Sequence, residues 1–209
     1  MNAEGTVFIV DDNKDFRTSL CALIETAGWA AKTYGSAEDF LRTYDAKDPG
    51  CLVLDLKMPG MDGLQLQEKL VKEGIQIPVI MVSAHGNVEK AVRALQTGAV
   101  DFVRKPYEAE VLLDRVRHAL RLDSERRQQD AERAVLAERF ASLTPREFEV
   151  VQLLVAGKSP KEICYALRLS RKTVDVYRSH IMMKTHAASF ADLVRMAHAH
   201  GIGKQQAAQ

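Results

Sequence analysis

The chain of 209 residues carries 29 Lys and Arg against 28 Asp and Glu, and 46% of its residues are apolar. Its length allows two small domains, and its composition excludes a disordered or collagen-like chain. The sequence has no run of 18 apolar residues and no basic start followed by an apolar stretch, so we expect neither a secreted chain nor a membrane partner. The three scattered cysteines have no metal-ligand spacing, which fits a cytoplasmic protein in a reducing compartment.

The first 106 residues alternate short apolar runs with helical patterns. Three runs rich in β-branched residues predict strands buried on both faces: Val7–Val10, Cys51–Leu54 and Val79–Val82. Weaker strands are predicted at Ala30–Tyr34 and Asp101–Arg104, and helices at 15–27, 36–43, 62–73 and 87–97. This order predicts an α/β domain with a doubly wound, five-stranded parallel sheet.

A long stretch without Gly or Pro follows, from Tyr107 to Thr144. Its composition favours helix, so we expect the last helix of the first domain, 1–122, to continue into a long helical linker over 123–142. An apolar stripe along this linker packs either against the same chain or against a second chain, and the sequence leaves both open. The stripe consists of Ala131, Ala134, Val135 and Phe140.

Residues 143–209 predict a second, all-α domain of four short helices. Thr144 and Ser159 each begin a capping box with Pro at the first helical position, and Ser170 and Ser189 cap the third and fourth helices. This part holds 10 Lys and Arg against 5 Asp and Glu, whereas residues 1–142 hold 19 against 23. The basic surplus either marks an anionic partner or is an ordinary solvated surface.

Charged and hydroxyl residues follow the predicted strands at the point where each strand ends. Asp11 and Asp12 follow the first strand, Asp55 the third, Ser83 the fourth and Lys105 the last. In an open parallel sheet, ligands bind at this edge. Three converging carboxylates repel one another unless a cation lies between them, and hard oxygen ligands suit Mg²⁺. A carboxylate beside Mg²⁺ and Lys can attack a phosphoryl group, because both cations neutralise the developing charge.

At these residues the chain resembles a known family. Residues 5–122 resemble the receiver domain of two-component signalling, through Val10-Asp11-Asp12, Asp55–Gly63, Ser83-Ala84 and Lys105-Pro106. The resemblance implies that Asp55 accepts phosphate from a sensor histidine kinase, with Lys105 beside the phosphoryl oxygens. It implies a switch in which Ser83 swings to contact the phosphoryl oxygens and Phe102 turns inward with it. The implied Mg²⁺ ligands are Asp11, Asp12, Asp55 and the backbone carbonyl of Lys57.

Residues 143–200 resemble the helix-turn-helix domain of the NarL/LuxR group. The matching positions are Leu143–Glu147, Gly157, Lys161–Ile163, Ser170, Lys172–Val174 and Lys184. Together with the receiver and the linker, nearly the whole chain resembles the FixJ-like group of response regulators. Thr185 departs from the group, which usually has Leu there, and this predicts looser packing at the end of the third helix. Asp175 stands where the group is often basic, and a carboxylate that faces DNA costs affinity unless a base donor pairs with it.

The third helix of this second domain has two distinct faces. Val174, Tyr177 and Ile181 form a stripe that faces the core, and the opposite face suits a DNA major groove. On that face we expect Val176 to touch a thymine methyl and Asp175 to accept from cytosine N4. Phosphate contacts are expected from Lys161, Arg171, Arg178 and Lys184. The expected DNA-binding set is Arg171, Lys172, Thr173, Asp175, Val176, Arg178, Ser179 and Lys184.

The leading hypothesis is a phosphorylation-controlled transcription factor that dimerises, binds double-stranded promoter DNA and works with RNA polymerase, and that is not an enzyme. An enzymatic alternative is a phosphohydrolase of the haloacid-dehalogenase type. Those enzymes carry a second Asp two residues after the nucleophile, and Lys57 at that position argues against this class. A second alternative is a constitutive DNA binder whose receiver no longer accepts phosphate. Only a phosphorylation assay distinguishes it from the leading hypothesis.

Overall fold

The computed structural model describes residues 5–84 and 88–202, and its first part is built on a five-stranded sheet. The strands are β1 (Thr6–Val10), β2 (Ala30–Tyr34), β3 (Gly50–Asp55), β4 (Val79–Ser83) and β5 (Asp101–Arg104). Their order across the sheet is β2-β1-β3-β4-β5, and every neighbouring pair is parallel. All five predicted strands are confirmed, with ends that differ by at most one residue.

Five helices belong to this part of the chain. They are α1 (Lys14–Thr26), α2 (Ala37–Thr43), α3 (Gly63–Lys72), α4 (Val88–Gln96) and α5 (Ala109–Ala141). The predicted helices are confirmed with small differences at their ends, where the capping residue itself is not helical. Ser36, for example, begins the second predicted helix, whereas in the structure it is the cap of α2, and its hydroxyl accepts from the Asp39 N–H at 3.1 Å. Residue 87, the predicted start of the fourth helix, lies outside the described residues.

The sheet is covered on both faces, because successive side chains of a strand point in opposite directions. Phe8 and Leu54 belong to a buried cluster that packs against α2, α3 and α4. Val7, Ile9 and Val53 belong to a second buried cluster, which packs against α1 and the first half of α5. The predicted doubly wound α/β fold is therefore confirmed.

A cluster of charged residues fixes α5 to the beginning of β3. Asp123 is 2% exposed and accepts a hydrogen bond from the Gly50 N–H at 2.9 Å. Its carboxylate is paired with both Arg126 and Arg127. The Arg127 guanidinium also donates to the backbone carbonyls of residues 46–48 at 2.6 to 3.1 Å. This cluster ties α5 to the loop before β3.

The chain from Gln128 onward forms a second compact unit. Its own helices are α6 (Pro145–Val155), α7 (Pro160–Leu167), α8 (Arg171–Thr185) and α9 (Phe190–Ala199). Both predicted capping boxes are present, at Thr144 and at Ser159. Ser170 and Ser189 cap α8 and α9 as predicted. The four-helix, all-α architecture is therefore confirmed.

The core of the second unit includes the end of α5. Phe140 is 3% exposed and packs in this core together with Val150 and Ile181. Phe140 of the apolar stripe therefore packs within the chain, whereas Val135 of the same stripe is 46% exposed. The two compact units divide between residues 127 and 128, inside the segment predicted as a linker. Residues 1–4 and 203–209 of the predicted domains lie outside the described residues. Among the described residues, no helix is long and apolar enough to span a membrane.

Candidate functional site

The ends of three strands bring two carboxylates and one ammonium group together. The Nζ atom of Lys105 lies 2.6 Å from Asp11 Oδ2 and 2.8 Å from Asp55 Oδ1. β1 and β3 are neighbours, with Val10 opposite Leu54 in their register, so the residues that follow these two positions are adjacent. The strand order reverses here, and open α/β sheets bind their ligands at such a point. The structure thus groups Asp11, Asp55 and Lys105 at the predicted edge.

The two carboxylates are buried and bonded to the backbone as well. Asp11 Oδ1 accepts from the Asn13 N–H at 2.8 Å, and Asp55 Oδ2 accepts from the Lys57 N–H at 2.7 Å. Burial raises the pKa of Asp11, and the nearby charge of Asp55 adds to the rise, while Lys105 and the Asn13 N–H oppose it. Lys105 is therefore the cation that allows two buried carboxylates to lie side by side.

A glycine allows the helix after the site to approach Asp55 closely. Gly63 is the first residue of α3, and its N–H donates to the Leu56 carbonyl at 3.1 Å. A Cβ atom at position 63 would lie only 2.3 Å from the backbone carbonyl oxygen of Asp55. Any larger residue must therefore push α3 away from the end of β3. Close backbone approach, more than turn flexibility, explains the glycine at this position.

The remaining predicted receiver residues lie around this group. Ser83 is 1% exposed at the end of β4, and its carbonyl accepts from the Lys105 N–H at 2.8 Å. Phe102 is partly buried and packs against the cluster that α2, α3 and α4 cover. Asp12 is exposed, unlike its neighbour Asp11.

The expected metal ligands are only partly assembled. Over residues 5–84 and 88–202, no three His, Cys, Asp or Glu side chains are grouped closely enough to hold a metal ion. The expected trio is therefore not gathered, and Asp12 is exposed whereas Asp11 and Asp55 are buried. The donor chemistry nevertheless fits Mg²⁺, because the buried carboxylates of Asp11 and Asp55, both paired with Lys105, offer hard oxygen ligands.

Two aromatic residues that the sequence analysis did not single out complete the surroundings of Lys105. Its Nζ atom lies 3.6 Å from the centroid of the Phe16 ring, a cation–π contact. The Tyr107 ring meets Phe16 edge-on at 6.2 Å, and burial raises the pKa of the Tyr107 hydroxyl, with Asp11 adding to the rise. In the sequence Phe16 is one apolar residue in a helix, so only the fold shows that it supports Lys105.

The third helix of the second unit has the two faces that were predicted. Val174 and Ile181 are completely buried, and Tyr177 packs against the same core. The opposite face of α8 is exposed, and Val176 on it is 45% exposed. The exposed members of the predicted set are Arg171, Lys172, Asp175, Val176 and Ser179, and Arg178 is partly buried.

Two other predicted DNA contacts have partners within the protein. Lys184 Nζ lies 2.6 Å from the carboxylate of Glu147, whose side chain is only 3% exposed. Burial by itself would raise the pKa of Glu147, but hydrogen bonds from Lys184 and Thr144 hold that pKa below its usual value. This contact argues against the phosphate role expected for Lys184. The Thr173 hydroxyl lies 2.8 Å from the hydroxyl of Ser170, within the cap of α8.

The unusual Thr at the end of α8 is well accommodated. Thr185 is completely buried, and its hydroxyl donates to the Ile181 carbonyl at 2.7 Å. The Thr185 carbonyl accepts from Arg139 of α5 at 3.4 Å. The buried hydroxyl is thus satisfied, and the end of α5 is joined to the end of α8.

Both parts of the chain match known protein families. Residues 7–117 match the family described as the response regulator receiver domain, and residues 141–197 match the bacterial regulatory proteins of the luxR family. The chain belongs to the response regulators. This response regulator is 38% identical to nodulation protein W of Bradyrhizobium diazoefficiens over 100% of its own length and 92% of that protein. It is 40% identical to the transcriptional regulatory protein FixJ of Azorhizobium caulinodans over 91% and 90% of the two chains.

A solved structure matches nearly the whole of this response regulator. The structure of the response regulator StyR superposes with a TM-score of 0.87 at 40% identity and covers 94% of this chain and 99% of that one. These similarities confirm the FixJ-like group and a regulator of transcription rather than an enzyme. The receiver domain implies a sensor kinase as partner, and the luxR-type domain implies DNA binding. Receiver domains generally bind Mg²⁺ where they are phosphorylated.

Proposed function

We propose that Asp55 is the phosphoacceptor of this response regulator and that a sensor histidine kinase supplies the phosphoryl group. The contact between Lys105 and both buried carboxylates supports this proposal most directly. A carboxylate oxygen of Asp55 attacks phosphorus, the P–N bond to the histidine of the kinase breaks, and the imidazole leaves. Lys105, already 2.8 Å from Asp55, neutralises part of the charge on the phosphoryl oxygens.

The carboxylates of this site would also bind a divalent cation. Asp11, Asp12, Asp55 and the backbone carbonyl of Lys57 would hold Mg²⁺, which supplies further neutralisation of the phosphoryl oxygens. Asp11 would keep its position through its bonds to Asn13 N–H and Lys105. The pair Asp11 and Lys105 would therefore set the orientation of Asp55 before and after transfer.

Phosphorylation would lead to dimerisation through the face that α4, β5 and the start of α5 form. Ser83, at the end of β4, and Phe102, in β5, would connect the proposed phosphorylation site with this face. Exposed apolar side chains support an interface there, since Val92, Leu95 and Val111 are 45%, 47% and 41% exposed. A two-state element biased by phosphate is the physical requirement for such a switch. Sedimentation that gives the same monomer fraction with and without phosphate would contradict it.

In the second unit the exposed face of α8 would read promoter DNA. Lys172, Asp175, Val176 and Ser179 would meet base edges, and Arg171 and Arg178 would contact phosphates. A dimer would place two such helices on two half-sites of double-stranded DNA. RNA polymerase would be the partner at a promoter, and a protein that binds promoter DNA would be cytoplasmic.

Phosphorylation of the full chain by a small acyl phosphate or amido phosphate tests the proposed acceptor. With Mg²⁺ present, intact mass spectrometry should find one added phosphoryl group in the wild type and none in Asp55→Asn. Removal of Mg²⁺ by a chelator should abolish the wild-type adduct. Asp45→Asn, a change at an exposed loop position, is the matched control and should be phosphorylated normally. A stable adduct in Asp55→Asn at the wild-type yield would place the acceptor elsewhere.

A further inference from the structure

An aromatic ring is the third contact of the Lys105 ammonium group. A lysine ammonium group has three N–H donors. Two of them reach Asp11 at 2.6 Å and Asp55 at 2.8 Å, and the centroid of the Phe16 ring lies 3.6 Å from the same Nζ atom. Only 18% of the Lys105 side chain is exposed. With both carboxylates engaged, the ring therefore lies within reach of the third donor.

The start of α1 fixes the Phe16 ring beside the site. The Asn13 side chain caps α1 and accepts a hydrogen bond from the Phe16 N–H at 3.0 Å. The backbone N–H of Asn13 donates to Asp11 Oδ1 at 2.8 Å, so the same residue ties Asp11 to the first turn of α1. The Tyr107 ring meets the Phe16 ring edge-on at 6.2 Å. Phe16 is thus held both at its backbone and at its ring.

The contact between the ring and Lys105 matters most while a phosphoryl group is transferred. When a carboxylate oxygen of Asp55 bonds to phosphorus, the Asp55 carboxylate loses its own charge and attracts Lys105 less. The Phe16 ring takes no part in the transfer, so its attraction for the ammonium group stays the same. A contact that holds Lys105 when another weakens stabilises the transition state more than the ground state, and only such a difference raises a rate.

We propose that Phe16 is a positioning residue for phosphorylation of Asp55 and holds the Lys105 ammonium group in place through a cation–π contact. This inference rests on the proposed function, in which Asp55 is the phosphoacceptor. With an acyl phosphate as donor, Asp55 forms a new P–O bond, the P–O bond to the acyl group breaks, and the acyl carboxylate leaves. The ring forms no bond in this step. Its effect is therefore electrostatic and falls when electron density is withdrawn from the ring.

Fluorination of the Phe16 ring tests this contact while the size of the ring hardly changes. Phenylalanine with one, two or three ring fluorines at position 16 gives a graded series of weaker cation–π contacts. The measured quantity is the rate constant for phosphorylation of the full chain by acetyl phosphate with Mg²⁺, followed by intact mass spectrometry. It should fall step by step along the series, to about three- to tenfold below the wild type. Phe16→Leu should be at least as slow, and Phe16→Tyr, which keeps the ring, should retain most of the rate.

Three controls separate this role from a purely structural one. The same fluorinated residues at Phe40, a completely buried ring of the receiver, should leave the rate unchanged. In Lys105→Met the residual rate should no longer depend on fluorination at position 16, because the contact needs the ammonium group. Without Mg²⁺ or donor, nuclear magnetic resonance of isotopically labelled lysine should show the ε-methylene protons of Lys105 shifted upfield by the ring. That shift should disappear in Phe16→Leu.

The outcomes distinguish this inference from the proposed function. Equal rates along the fluorinated series at position 16, while Asp55 is phosphorylated, would overturn the inference and leave the proposed function intact. A series that slows Lys105→Met as much as the wild type would overturn it as well, as would an ε-methylene shift that is the same in Phe16→Leu. If the wild type accepts no phosphoryl group, or Asp55→Asn accepts it equally well, the proposed function itself is refuted.

Discussion

Each buried carboxylate of the described residues lies against at least one Lys or Arg. Asp11 and Asp55 share Lys105, Asp123 has two arginines, and Glu147 has Lys184. A buried carboxylate without a partner costs several kcal/mol, so these cations are the sites where a single substitution has a large effect. In the receiver Lys105 lies against the proposed phosphoacceptor, whereas Lys184 lies against Glu147 within the second unit.

Replacement of Lys184 distinguishes its structural role from the phosphate role first expected. Lys184→Met leaves the carboxylate of Glu147 buried without its cation, and should lower the free energy of unfolding of the second unit by about 2 kcal/mol. Circular dichroism during urea unfolding measures this loss. Trp29, the one tryptophan of the chain, lies in the first unit, so the unfolding transition that its fluorescence reports should not change.

DNA binding provides the second readout for the same variant. Lys184→Met should leave the salt dependence of DNA binding unchanged, whereas Arg171→Ala should lower the salt slope by about one unit. If Lys184→Met has unchanged stability and a salt slope lowered by one unit, then Lys184 contacts a DNA phosphate.

At the scale of elements, the start of α3 depends on its glycine. The Cβ of an alanine at position 63 would lie 2.3 Å from the Asp55 carbonyl oxygen, and its nearest neighbours are all backbone atoms of Asp55 and Leu56, which cannot yield easily. Gly63→Ala should therefore destabilise the receiver by at least about 2 kcal/mol and reduce phosphorylation of Asp55. Urea unfolding followed by Trp29 fluorescence measures the first effect. Gly35→Ala is the control, because its new Cβ would lie 3.7 Å from the flexible end of Arg17, and equal costs for both variants would contradict the account.

Replacement of Asp175 on the exposed face of α8 should have two opposing effects on DNA binding. Asp175→Ala removes a negative charge that repels DNA, so non-specific affinity should rise. It also removes the acceptor proposed for a cytosine amino group, so discrimination at one base pair should fall by about 1 kcal/mol. Val176→Ala should cost a similar amount of discrimination at a thymine without changing the salt slope. Full specificity of Asp175→Ala across a randomised site library would mean that this face does not read bases.

The elements of this fold could be predicted from local patterns, and much of the site could be as well. Apolar runs such as Val7–Val10 predict buried strands, and parallel strands that end at one edge gather Asp11, Asp55 and Lys105. Contacts between distant positions could not be predicted in this way. Nothing local in the sequence shows that Lys184 meets Glu147, since 37 positions separate them and each is an ordinary surface type. The contact between Phe16 and Lys105 could not be predicted either, because it depends on how α1 packs against the sheet.

At the scale of the whole molecule, two compact units carry two kinds of chemistry in one chain. The first holds the carboxylate and lysine group of a receiver, and the second holds the exposed helix face of a DNA-binding domain. Phosphorylation changes the charge of the first unit. It can change the DNA affinity of the second unit only if it shifts the free-energy difference between two states of the full chain that differ in DNA affinity. The grouping of Asp11, Asp55 and Lys105 supports the proposal that this coupling is retained.

DNA affinity of the full chain before and after phosphorylation tests the central claim most directly. The Kd for the site selected by the phosphorylated protein should fall by about tenfold or more when a small acyl phosphate and Mg²⁺ are added. Asp55→Asn should bind with the affinity of the unphosphorylated wild type whether or not the donor is present. Equal affinity of the phosphorylated and unphosphorylated wild type would contradict the account and identify the chain as a constitutive DNA binder.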